Sequence, residues 1–390
     1  MDKSVIVAAR RSPIGKYLGS LSNVPATALG SRVAAAVLEE ARAAGAVEEV
    51  FIGCVLQAGL GQNPARQVAL GAGISDRITA VTINKVCGSG LEAVMLADRA
   101  IRSGDIRVAL AGGIESMSQA PHYVRGVRAG LKFGHGALLD GMIFDGLTCV
   151  FEKWQMGCAA EYTARSHHIT RQMQDTFAVA SHQRAAQARA QGLFDREIVP
   201  IEIKGGGLSV DETVRADASL DKVSKLPPAF EQNGTVTAAN SSALSDGAAM
   251  VLLASPEAAR AHGWPVRAEI LASTTSGVAP KELFMAPVQA IRQVVEKAGL
   301  TLNQIDLFEI NEAFAAQVLA NIKALEIPEN RVNVHGGAIA LGHPIGASGA
   351  RVLVTLLHAM EQRRARHAVV SLCLGGGNAV AMCIQRRDAK

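Results

Sequence analysis

The sequence predicts an α/β protein built from two duplicated halves, with a long segment inserted between the elements of the first. Three observations point there. Short runs rich in Val and Ile alternate with runs whose apolar positions recur at helical spacing. Glycine is abundant, at 38 of 390 residues, while aromatic residues make up only 4%, a composition suited to tight turns and close backbone packing. An ordered set of helix, strand, glycine turn, helix and strand also occurs twice, as duplication produces. At 390 residues the chain exceeds one ordinary core.

Taken in order, residues 5–9 read as a strand. Residues 28–44 read as a helix through Leu29, Val33, Ala36, Val37 and Leu38, stopped near Gly45. A second strand follows over 50–56, then a glycine-rich loop over 59–67 that leads into another helix. Residues 79–83 form a short strand, and Leu91, Val94, Met95 and Ile101 mark the helix that follows, ended by Gly104. Cys87 therefore sits where a strand hands over to a helix, beside Gly88-Ser89-Gly90. The next strand covers 108–111 before Gly112-Gly113. Between 119 and 242 the pattern loosens, except for a helix with Thr170 as N-cap that closes at Gly192. An excursion of this length is usually functional. The α/β pattern returns after residue 248, and helix 288–298, strand 305–310, the Gly346 turn with its helix, and strand 368–374 before Gly375-Gly376 repeat the first half.

Four motifs carry chemistry. A thiol at a helix N-terminus meets free N–H groups and the positive end of the helix dipole, which favours the nucleophilic thiolate at Cys87. Read alone, Cys87 is equally a small buried residue. His343 stands in Gly342-His343-Pro344-Ile345-Gly346, where a constrained backbone places its ring; alone it is a surface histidine. Cys373 precedes Gly375-Gly376-Gly377 at a strand end; alone it is a buried strand residue. Asn311 lies in Glu309-Ile310-Asn311-Glu312-Ala313-Phe314, where it also suits a helix cap.

Together, Asn-Glu-Ala-Phe, Gly-His-Pro-Ile-Gly-Ala-Ser-Gly-Ala-Arg and Cys-x-Gly-Gly-Gly, with the upstream Cys-Gly-Ser-Gly, resemble the thiolase family over essentially the whole chain. Gly112-Gly113-Ile114-Glu115-Ser116-Met117-Ser118 belongs to the same resemblance. It implies a thiolase-like five-layer αβαβα fold of two duplicated halves with an inserted loop domain. Residues 1–119 and 243–266 would form the first half, 120–242 the loop domain, and 267–390 the second half. It further implies a reversible Claisen condensation of acyl-CoA molecules through an acylated Cys87. His343 would be the activating base, Cys373 the second acid/base, and Asn311 the holder of a water in the oxyanion site. Backbone N–H groups of Cys87 and Gly375 would bind the oxyanion. Met156, Arg215, Phe230 and Ser242 would line the pantetheine and nucleotide path, with Gln155 and Phe314 near the acyl group. No cofactor or metal is implied, because coenzyme A is part of the substrate. The resemblance implies a homodimer or homotetramer, with residues 121–140 as the tetramerisation loop.

Three departures bear on specificity. Gln155-Met156-Gly157 replaces the usual His-Met-Gly, and Gln cannot act as acid or base. Leu283-Phe284-Met285-Ala286-Pro287 carries bulk where glycines usually leave room, and Leu226-Pro227-Pro228 lacks an arginine. The leading expectation is condensation of two acetyl-CoA to acetoacetyl-CoA or thiolysis of short 3-ketoacyl-CoA. A degradative thiolase of broader chain length is the alternative. A ketosynthase would lack Cys373, and a non-catalytic acyl-CoA-binding protein would lack Cys87 or His343.

Other classes fit poorly. A net charge of +4 from 39 basic and 35 acidic side chains is too mild for nucleic acid and compatible with an anionic small substrate. No apolar run approaches a membrane span. The start of the chain lacks a signal-peptide pattern, so a cytoplasmic protein with its six cysteines reduced is expected. No Cys-x-x-Cys pair points to zinc.

Overall fold

Alternating side chains along the strands sort the apolar residues onto two faces of one long sheet, and helices cover both. The computed structural model describes residues 3–387. Its first half comprises β1 (Val5–Arg11), α1 (Ala26–Ala41), β2 (Glu49–Gly53), α2 (Pro64–Gly71), β3 (Thr79–Ile83), α3 (Ser89–Ser103) and β4 (Val108–Ser116). The inserted segment holds α4 (Met156–Ser166) and α5 (Arg171–Ala190). β5 (Ser245–Ala254) closes the first half. The second half comprises β6 (Ala268–Gly277), α6 (Ala286–Lys297), β7 (Leu307–Ile310), α7 (Ala315–Leu325), α8 (Ile345–Arg363), β8 (His367–Leu374) and β9 (Asn378–Arg386).

The sheet runs β7-β8-β9-β6-β1-β5-β4-β2-β3, and Gly15–Lys16 adds a short strand against β5. The halves repeat each other along it. β2 pairs with β4 in parallel as β7 does with β8, and β4 with β5 antiparallel as β8 does with β9. In the place of β3, the second half has one parallel bridge, Phe308 to Val332. The halves join where Val5 and Ile6 of β1 pair with Glu269 and Ala268 of β6.

Three apolar clusters make five layers. Leu29, Val33 and Val37 of α1 cover Val50, Ile52, Leu110 and Leu252 on one outer face. Ile291 and Val294 of α6 and Val318 of α7 cover Val369, Ala381 and Cys383 on the other. Between them α3 and α8 lie back to back, with Val94, Met95, Leu353 and Leu357 packed on Val251, Leu253, Val370 and Met382. The two central helices cross through small residues. A Cβ on Gly349 would fall 2.3 Å from the Leu91 nitrogen, and one on Gly90 2.8 Å from the Ala350 nitrogen. That crossing brings the N-terminal ends of α3 and α8, and so Cys87 and His343, to one place.

The inserted segment places its apolar residues against the second half. Ala159 and Ala160 of α4 pack with Phe284, Phe314 and Cys373, and Ala185 and Ala188 of α5 with Ala340 and Leu341. Thr170 caps α5, accepting from the Met173 N–H, as the sequence indicates. Gly112 and Gly113 differ from the expectation. They lie inside β4, not in a turn after it. A Cβ on Gly113 would fall 2.3 Å from the Gly346 carbonyl oxygen and one on Gly112 2.1 Å from that of Ala249, so they are glycines for close approach. The residues equivalent to the 375–377 turn are instead the whole inserted segment.

Candidate active site

Cys87 stands on a sharp turn between β3 and α3. Val86 has a φ of +48°, a conformation that strains a β-branched residue. Ser89 holds the turn: its Oγ accepts from the Lys85 N–H at 2.8 Å and donates to the Val86 carbonyl at 2.6 Å. The Cys87 sulfur receives the N–H groups of Cys87 and of Gly375, the first residue after β8.

The thiolate expected from the helix terminus is not the resting state. Burial pushes the Cys87 thiol up to about 12 and outweighs the two N–H groups. Cys373, at the end of β8, is pushed well above the usual thiol range by burial and by the adjacent Cys87. His343 goes the other way, down to about 3, through burial and the positive charge of Arg351. These directions favour two thiols and a neutral imidazole in the resting site.

The imidazole is oriented. Ser348 Oγ donates to the Pro344 carbonyl at 2.8 Å and lies 2.5 Å from His343 Nδ1. With its own proton engaged, the hydroxyl accepts from Nδ1–H, which leaves the lone pair on Nε2. Asn311 Nδ2 lies 3.4 Å from that Nε2. Asn311 is not a helix cap: α7 begins at Ala315, and Asn311 N–H bonds to the Ser371 carbonyl. Its buried Oδ1 has no protein partner among the described residues.

The two thiols and the imidazole border one cavity of about 500 Å³. Cys87, His343, Cys373 and Gly375 line it, as do Gln155, Met156, Phe230, Ser242 and Phe314. Asn311 stands behind His343, outside the lining. Arg215 is apart: it is exposed, and its N–H donates to His182 Nδ1 at 3.1 Å. Met117, Met142, Ile143, Leu147, Leu244 and Ile345 complete one apolar wall, and sequence reasoning did not single them out. They come from separate segments; Met117 and Ile345 lie within quoted motifs, and no local pattern marks the others. Phe284, Phe314 and Phe230 form the other wall, with centroids 5.5 and 6.1 Å apart across Phe314. No Lys, Arg, Asp or Glu lines the cavity among the described residues. Its chemistry is that of thiols, an imidazole base and oriented N–H donors beside apolar walls.

The Thiolase, N-terminal domain family matches residues 4–257, and the Thiolase, C-terminal domain family residues 264–386. The chain belongs to the thiolase family. This thiolase is 50% identical to the acetyl-CoA acetyltransferase of Pseudomonas aeruginosa over 392 residues, covering 99% of this chain and 100% of the relative. It is 49% identical to the acetyl-CoA acetyltransferase of Cupriavidus necator, with the same coverage. Among solved structures, the Bacillus anthracis acetyl-CoA acetyltransferase matches with a TM-score of 0.96 and human mitochondrial 3-ketoacyl-CoA thiolase with 0.97. Both are 40% identical, and 99% of each chain is covered. The thiolase fold expected from the motifs is thus the fold present. No helix among the described residues is long and apolar enough to cross a membrane.

Proposed function

We propose that this thiolase condenses two acetyl-CoA molecules to acetoacetyl-CoA and CoA, and runs the reverse thiolysis, by a ping-pong route through acetyl-Cys87. The observation that carries this is the convergence of Cys87, His343, Cys373 and the Gly375 N–H on one apolar cavity. The acetyl-CoA acetyltransferases that cover the full chain support the substrate.

The resting protonation states give the order of events. His343 Nε2 takes the Cys87 proton as the sulfur attacks the thioester carbon, and the oxyanion meets the N–H groups of Cys87 and Gly375. As the carbon–sulfur bond to CoA breaks, Cys373 gives its proton to the departing sulfur. The Cys373 thiolate is then a strong base, because burial disfavours its charge, and strength is what a weakly acidic α-carbon requires. It removes a proton from the second acetyl-CoA. The carbanion attacks acetyl-Cys87, and the Cys87 sulfur leaves and recovers its proton from His343. Asn311, beside Nε2, orders the polar side of the site. No prosthetic group enters these steps. We assign the chain to the cytoplasm as a homodimer or homotetramer, whose assembly would cover the exposed Leu131 and Phe133 in the charged loop of residues 121–140.

Phe284, buried against Phe314, narrows the space beside Cys373 and favours short acyl groups. The second reading is a 3-ketoacyl-CoA thiolase of broad range, favoured by the long apolar wall through Met117 and Met142. Thiolysis kinetics over a series of 3-ketoacyl-CoA lengths decide. We expect kcat/KM to be highest with acetoacetyl-CoA and to fall with each added pair of carbons; a flat or rising series would install the second reading.

Gln155 lines the cavity, and its side chain makes no hydrogen bond within the protein among the described residues. Gln155→His is expected to change kcat/KM by about tenfold, the effect of one hydrogen bond to a polarised oxygen, while Cys87 still becomes acetylated. Loss of acetylation in that variant would give Gln155 a structural part instead.

A further inference from the structure

Glu115, on β4, is fully buried at the seam between the halves. Its carboxylate accepts three backbone N–H groups. Two come from Val55, at 3.2 Å, and Leu56, at 3.1 Å, in the turn after β2. The third comes from Gly346, at 2.8 Å, in the first turn of α8. Cys54 Sγ lies 3.9 Å away. None of these partners is charged. α8 has 19 residues and no capping side chain of its own, so Glu115 caps it from a strand of the other half, where the helix dipole favours an anion. The fit is close: a Cβ on Gly346 would fall 2.8 Å from Glu115 Oε2 and 3.0 Å from Cys54 Cα. His343 precedes Gly346 by three residues. Val55, Leu56 and Ile345 pack in the cluster that abuts Cys87.

We propose that Glu115 is a positioning residue: its carboxylate ties the turn after β2, which packs against Cys87, to the first turn of α8 beside His343, and its charge reaches the Cys87 thiol across that turn. This rests on the reading that Cys87 and His343 carry acyl transfer. Other titratable groups belong to the elements packed against it, and of these only Cys54 touches its carboxylate. Cys54 and Cys87 come from the turns after β2 and β3. Asp246 of β5 is turned to Ser116 and Ser118. His343 and Arg351 come from α8 and its preceding turn, with Arg351 paired to Glu309. The Glu115 charge raises the Cys54 thiol beside it, and adds the smallest of the contributions to the rise of the Cys87 thiol, which burial dominates. Burial lifts Glu115 itself to about 7, against the N–H groups of Leu56, Gly346 and Val55. It therefore changes charge near neutrality, and the thiol responds.

The test is Glu115→Gln, which keeps the shape, removes the charge and turns an amide N–H toward a backbone N–H. Cys87 alkylation by iodoacetamide is followed against pH, beside kcat and KM for acetyl-CoA. We expect kcat to fall about ten- to a hundredfold from the misplaced His343 turn, with KM little changed. We expect Cys87 to be alkylated faster than in the unmodified protein at about pH 8, because the opposing anion is gone. A loosened pocket would also speed alkylation, at every pH alike; loss of the charge instead changes the shape of the pH profile, giving unit slope between about pH 6 and 8 where the unmodified protein does not. Alkylation profiles that superimpose would overturn the proposal. If the variant does not fold, the unmodified protein still decides. Its log rate of alkylation should climb with a slope below one between about pH 6 and 8, as Glu115 ionises, and with unit slope above. A straight line of unit slope throughout would equally overturn it. Mass spectrometry of the same unmodified sample with acetyl-CoA separates the two ideas. No acetyl group on Cys87 removes the underlying reading; an acetylated Cys87 with featureless profiles removes only the role of Glu115.

Discussion

Cys87→Ala is expected to abolish turnover in both directions. Removing a covalent nucleophile that acts as a unit with its base costs on the order of 10⁵–10⁶-fold. The fold should survive, because Ala keeps the Cβ on the Val86–Gly88 turn and Ser89 still ties that turn to Lys85 and Val86. Circular dichroism and thermal melting of the variant should match the parent. Mixing the parent with acetyl-CoA should add one acetyl group, located on Cys87 by peptide mapping. Three other cysteines are buried away from the cavity lining, Cys54, Cys149 and Cys383. An acetyl group on any of them, or a Cys87→Ala enzyme with measurable turnover, would reject the assignment.

The second large effect separates the two cysteines by task. Acyl transfer to Cys87 needs His343 Nε2 and the N–H groups, whereas carbon–carbon bond making also needs a proton moved at the α-carbon. Cys373→Ala should lower condensation and thiolysis by about 10²–10⁴-fold, the range for one placed acid/base group. Exchange of labelled CoA into acetyl-CoA should fall much less, since solvent or the incoming thiol can supply the proton that Cys373 gives. His343→Ala should depress both exchange and condensation, as it removes the base that Cys87 depends on. Equal losses of exchange and condensation in both variants would remove the division of labour.

The strand–turn–helix around Cys87 was legible because its signals are local. The strand Thr79–Ile83, the apolar spacing through Ile101 and the stop at Gly104 are each decided within a few residues. The duplication was legible for the same reason, repeated local units in the same order. Gly112-Gly113 misled because a glycine pair reads as a turn, while here Gly112 admits the Ala249 carbonyl and Gly113 the Gly346 backbone, each from a distant segment. The ionisation of Cys87 also read in the wrong direction. A helix terminus is visible in sequence, but the burial that outweighs it is a property of the assembled cavity. Met117 and Ile345 of the apolar wall stand in quoted motifs, but nothing in the sequence marked Met142 or Leu244 as their partners, since these residues meet only when the inserted segment folds back. Glu115 was visible as part of a motif, yet nothing in its neighbours reveals that it reaches the first turn of a helix 231 residues onward, at Gly346.

The inserted segment that stands where the second half has a three-residue turn has a consequence for the chain as it leaves the ribosome. β5 belongs between β1 and β4, yet residues 117–244 separate it from β4. At about 5–20 residues per second, their synthesis takes about 6–26 s. Through that interval two strand edges face an empty slot, with Ala9 and Ala111 among the apolar residues awaiting Val251. Unpaired edges of this kind invite association with other chains. The second half meets no such delay, since β8 and β9 are joined by residues 375–377. The nascent first half therefore depends on protection that the second half does not, and its exposure ends only when β5 emerges and closes the sheet.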